Sequence, residues 1–123
     1  MKALHDGVIQ EYTVNFIDMS IKMIIDAKKK YRLIFSNVMS YYLENSLKTN
    51  ILLGIEIGET SDFVKDNSQL LKLHKDYGWP VTYHNIDELN ALIIHSHQKY
   101  YILYSSYGLS GWVLAESHTL ENI

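Results

Sequence analysis

The chain has 123 residues, of which 47% are hydrophobic and 20% charged, the composition of one globular domain with room for a real core and hardly for a second. It contains no cysteine, which excludes disulfides, a thiolate zinc site and a thiol nucleophile. Eleven Lys and Arg against 14 Asp and Glu leave a net charge of -3, a balance with no general attraction for nucleic acid or anionic lipid.

Met1–Gly7 turns polar too early for the apolar segment of a signal peptide, and runs such as Ile51–Ile55 fall far short of the roughly 20 residues of a membrane helix. The expected location is therefore the cytoplasm. No linker, repeat or low-complexity tract divides the chain, so residues 1–123 read as a single domain.

From Val8 the pattern alternates, with Val8, Tyr12, Val14 and Phe16 on one face, interrupted at Gln10. A turn at Asp18–Ser20 leads to a second strand with Ile21, Met23 and Ile25 on one face, and Lys28–Lys30 caps a hairpin. Tyr31, Leu33 and Phe35 continue the alternation, Asn37 marks a bulge, and Val38–Leu43 extends the same strand or forms another. Ile51, Leu53, Ile55 and Ile57 alternate with Leu52, Gly54 and Glu56, which predicts a central strand covered on both faces.

Phe63, Val64, Leu70, Leu71, Leu73 and Tyr77 recur at helical spacing and predict one long amphipathic helix. Thr60 or Ser61 would cap it, Asp62 suits its dipole, and Gly78 with Pro80 ends it while Trp79 folds back. Beyond a short turn at Asp87–Leu89, strands are predicted at Ala91–Ser96, Lys99–Ser105 and Trp112–Ser117, with a hairpin turn at Ser96–Gln98. The expected fold is α+β: a curved, mostly antiparallel sheet of about seven strands with one main helix packed on one face.

If Ala91–Ser96 is a strand, His95 and His97 share a face and could hold a metal with a third ligand from His5, His84 or Glu116. No carboxylate follows His97 between Lys99 and Leu103, so a solvated hairpin end is the competing account, and no metal or cofactor is assigned. Ser105–Gly111 invites a nucleophile reading, but Gly108–Leu109–Ser110–Gly111 is one residue short of a hydrolase elbow and precedes a strand. Lys28–Arg32 could touch phosphate, yet Arg32 is the only arginine, and a solvated turn explains the run better.

Ten tyrosines are the unusual feature, because tyrosine combines large contact area with a polar tip at interfaces. In Tyr41–Tyr42 and Tyr100–Tyr101, alternation places one ring inside and one outside. It selects Tyr41, Tyr100, Tyr107 and Trp112 as candidate partner contacts, against the competing view that these are strand formers filling a small sheet.

With Leu4–Ile9 near the start and Ser105–Ala115 near the end, the chain resembles small proteins of Bacillus and relatives, many of which resemble immunity proteins of polymorphic toxin systems. The resemblance implies a cytoplasmic, strand-rich, non-enzymatic protein that neutralises a cognate toxin by binding it, and it carries over no functional residue. Two other functions stay open: a small-molecule, metal-binding or hydrolytic domain using His95, His97 and Ser106, and a structural homo-oligomer, in the simplest case a homodimer.

Overall fold

A computed structural model describes residues 1–123. The strands are β1 (Val8–Asn15), β2 (Ser20–Asp26), β3 (Lys30–Glu44), β4 (Ile51–Gly58), β5 (Lys99–Tyr107) and β6 (Ser110–Asn122). The helices are α1 (Thr60–Asp66), α2 (Ser68–His74) and α3 (Ile86–His95), with 3₁₀ turns at Lys2–Leu4 and Lys75–Tyr77. All strand pairs are antiparallel, in the order β1-β2-β3-β6-β5-β4, and the sheet curls round until β4 meets β1. The α+β class holds, but there are six strands, because Ala91–His95 lies in α3 and Ser96 is its C-cap.

That segment is helical for reasons of capping and burial. The Asn85 side chain accepts the Glu88 N–H at 2.9 Å, Asp87 and Glu88 occupy the first turn, and Leu89 and Ile93, one turn apart, are both buried. An apolar run of this length fits either periodicity, and the cap with its four-residue spacing selects the helix.

Two cores form on opposite faces of the sheet. Ile21, Met23, Ile25, Leu33, Phe35 and Tyr101 fill the barrel together with Leu52, Ile55, Leu103 and Val113, and Leu4 enters from the N-terminal turn. Outside, Phe63, Leu71, Leu89 and Ile93 of the helices pack on Tyr100, Trp112 and Leu114, with Tyr42 and Trp79 at the margin. The strands covered on both faces are therefore β5 and β6, and β4 leaves Leu53 and Ile57 exposed.

Phase slips explain how irregular alternation still fills one interior. In β1 the register shifts between Ile9 and Glu11, so Gln10 is a bulge that puts Ile9, opposite Ile25, on the same side as Tyr12 and Val14, opposite Met23 and Ile21. β3 is one strand of 15 residues. It has a left-handed residue at Asn37 (φ 53°) and a register shift between Val38 and Ser40, so Phe35, Val38 and Tyr41 all contact the barrel core. β4 is irregular on both sides of Leu52, which turns Leu52 and Ile55 inward and Leu53 outward.

The expected long helix is broken at Asn67 (φ -117°, ψ 21°). The Asn67 backbone N–H and side-chain Nδ2 both donate to the Phe63 carbonyl, at 3.1 and 2.9 Å, and this closes α1 before α2 starts. The break rotates α2, so Leu71 is buried while Leu73 and Tyr77, expected on the apolar face, are exposed. α1 starts after Glu59 with no side-chain cap from Thr60 or Ser61. Its far end behaves as expected: Gly78 is left-handed (φ 70°), and the Trp79 ring folds back to 5.3 Å from His74. Gly111 (φ 143°) permits the close crossing of β6 over β3, since a Cβ there would collide with the Tyr42 carbonyl oxygen.

Candidate functional site

β1 and β4 close the barrel through one residue pair, Val8 with Ile51. Being antiparallel, the two strands run apart from this point. The N-terminal segment carries the closure a little further: Asp6 N–H donates to the Leu52 carbonyl at 3.0 Å, Leu52 N–H to the Gly7 carbonyl at 2.8 Å, and His5 Nδ1 lies 2.7 Å from the Leu53 carbonyl oxygen. Beyond it, Gly54–Gly58 has a strand, β5, on one side only.

This free edge is apolar. Leu53 is 51% exposed, Ile57 55%, and Tyr104, across from Gly54 on β5, is also exposed. A hollow of about 410 Å³ runs beside the edge between Met1, Lys2, His5 and Leu53–Glu56, and neighbouring hollows join Glu56 to Tyr104 on one side and to Ile57 and His118 on the other. Glu56 is the one carboxylate common to all three. Unpaired backbone groups flanked by exposed apolar side chains are what a protein uses to receive another strand, and what a solitary domain protects with charges or bulges.

At the mouth of the barrel, the Tyr101 hydroxyl and His118 Nδ1 are 2.9 Å apart, and their rings meet edge to face at 5.3 Å. Burial lowers the His118 pKa below its usual value, with the Lys99 charge and the chain's amino group adding to the effect. In the tautomer protonated at Nε2, a neutral His118 accepts a hydrogen bond from the Tyr101 hydroxyl at Nδ1; a doubly protonated ring would have to donate there, and the hydroxyl would become the acceptor.

A second exposed apolar group lies at the β1–β2 turn. The Asn15 side chain accepts the Ile17 and Asp18 N–H groups at 2.9 and 3.3 Å, Met19 takes a left-handed conformation (φ 52°), and its carbonyl accepts the Val38 N–H at 2.8 Å. This fixed turn holds Ile17 98% exposed beside an exposed Phe16.

The four aromatic candidates separate. Tyr107 is exposed and lies opposite Ile51 near the closure point, and Tyr41 is half-buried against the barrel core. Tyr100 and Trp112 are buried beneath the helices, where the Phe63 ring meets them edge to face at 5.3 and 4.8 Å, so they hold the domain together and present no outer surface. Tyr100 faces away from the barrel, but helices cover that outer face, and in the other pair the expected sides are exchanged: Tyr41 packs on the barrel core and Tyr42 on the helical layer. The Tyr100 hydroxyl donates to Asp66 at 3.1 Å, and burial, opposed by a hydrogen bond from Asn67, pushes its pKa up to about 12. The Trp112 indole N–H is buried without an acceptor.

His95 ends α3 and His97 is a left-handed residue (φ 55°) in the turn after it, both exposed, so the shared strand face expected of them does not exist. No group of three or more His, Asp or Glu residues is gathered as a metal site. The Ser105 hydroxyl donates to the Gly108 carbonyl in the β5–β6 turn, and the Ser106 hydroxyl to the Ile51 carbonyl at the start of β4. No helix is long and apolar enough to cross a membrane.

Strand alternation by itself hides Leu53 and Ile57, because it assigns both to a covered face. The available signal was Gly54, a residue that weakens strands and marks bulges, next to Leu53. Comparison with protein-family models, with curated proteins and with solved structures finds no match to this chain.

Proposed function

We propose that this protein is a non-catalytic protein-binding module that receives an extended segment of its partner along the free edge of β4. The observation that carries the reading is the stretch Gly54–Gly58, which has a strand on one side only and is bordered by exposed Leu53, Ile57 and Tyr104. Main-chain hydrogen bonds to the edge would supply affinity, and the apolar side chains on either side would select the sequence bound. A toxin is the partner class that fits the resemblance at Leu4–Ile9 and Ser105–Ala115. The domain would then neutralise it by occupying a strand or loop that the toxin needs.

The test is co-expression with a bacterial toxin domain that the chain retains in a pull-down, comparing the natural chain with a Leu53→Lys/Ile57→Lys variant. Both positions are exposed, so the variant should fold with stability unchanged within about 0.5 kcal/mol. The expected result is a one-to-one complex with the natural chain and loss of both complex and protection with the variant. Equal protection by the two chains would refute the edge as the contact surface. A homodimer of the free protein that the same variant dissolves would instead favour pairing of β4 with a second copy.

A further inference from the structure

The helical layer contains a hollow that the β4 edge does not use. It measures about 400 Å³ and lies between α2 and the start of α3, lined by Val64, Leu71, Lys72, Lys75, Tyr83 and Ile86 among others. Its size is in the range of small-molecule sites, and its floor is apolar, since Leu71 and Tyr83 are buried at its base. The charge around this floor has one sign. The lining includes Lys72, Lys75 and His84 and no carboxylate. The Lys75 ammonium stands 5.4 Å from the centre of the Tyr83 ring, and neither lysine forms an ion pair. On α3, Glu88 is paired with His84 at 3.1 Å.

We infer that this hollow binds a small amphipathic anion, a monocarboxylate with a medium-chain acyl or aryl body. The apolar part would lie on Leu71, Val64 and the Tyr83 ring, displacing the Lys75 ammonium from that ring, and the carboxylate would meet the Lys72 and Lys75 ammonium groups at the rim. An alkyl cation of the same length would bury the same surface and meet repulsion. A neutral alcohol would gain the burial without the ion pair, so the three ligand types separate the two contributions.

The experiment is titration calorimetry of the full chain with octanoate, octanol and octylammonium, repeated on Lys72→Ala/Lys75→Ala and on Ile86→Asp. Both lysines are exposed, and an aspartate at the first residue of α3 suits the helix dipole, so these variants keep the fold. Expected is saturable binding of one octanoate per chain, weaker binding of octanol, none of octylammonium, and a loss of about tenfold or more in octanoate affinity in each variant. Equal binding of octanoate and octylammonium, unchanged affinity in the double lysine variant, or no saturable binding of octanoate would each overturn the proposal. The hollow shares no residue with the β4 edge surface, so its failure would leave the partner reading standing, and the reverse.

Discussion

Phe63→Ala tests whether the domain is built on two separable cores. Phe63 is fully buried between α1 and the outer face of β5 and β6, with its ring edge to face against Trp112 at 4.8 Å and Tyr100 at 5.3 Å. Removing a buried phenylalanine costs about 3–5 kcal/mol, and two lost aromatic contacts keep this site out of the lower part of that range, at about 4 kcal/mol or more. That is a large share of the roughly 5–15 kcal/mol that holds a domain of this size folded. Both tryptophans, Trp79 and Trp112, belong to the helical core and none lies inside the barrel. Indole emission therefore reports the helical layer, whereas far-UV circular dichroism in the strand region reports mainly the barrel. In urea, the variant should lose its native tryptophan emission at lower denaturant than its strand signal, and Phe35→Ala, inside the barrel, should shift both together. A cost below about 1 kcal/mol with unchanged emission would refute the role given to Phe63.

Asn50→Ala should lower stability by about 2 kcal/mol in urea unfolding, because one side chain accepts the Leu47 and Leu109 N–H groups and donates to the Leu47 carbonyl, and two of these bonds are exposed. A loss under about 0.5 kcal/mol would show that the loops at the barrel end do not depend on this residue. His118 is held below its usual pKa of 6.5 in the folded chain, so as pH falls through 6.5 the unfolded chain takes up the proton first. Stability should then decline until the lower folded-state value is passed, and His118→Gln should flatten this slope in urea midpoints measured between about pH 8 and pH 5; an unchanged slope would assign it to other groups. Tyr100 behaves in the opposite sense: its pKa is raised from 10.0 to about 12, so the stability tied to its protonated hydroxyl is complete below pH 10 and is lost as pH rises toward 12. Tyr100→Phe should weaken alkaline sensitivity above pH 10, and a variant as alkali-sensitive as the natural chain would show that other tyrosines control that limb.

Local chemistry in the sequence determined a good deal. Strict alternation at Ile21, Met23 and Ile25 placed β2 and its inward face correctly, and the lysines at 28–30 marked the β2–β3 hairpin. Gly78 was legible as the end of the helical segment, since only glycine takes that left-handed turn without strain. These features depend on neighbours a few residues apart, and a few residues suffice to read them.

What the tertiary structure decided depends on pairings between distant segments. The bulge at Gln10 and the irregularity around Leu52 shift which residues face inward, and they are set by the registers of β1 on β2 and β4 on β5. Tyr100 and Trp112 point away from the barrel as alternation requires, yet are buried because α1 and α3 fold over that face. The free edge of β4 arises where the barrel meets itself in the single pair Val8 and Ile51. Closure of a sheet is a property of all its strands together, and no stretch of sequence contains it.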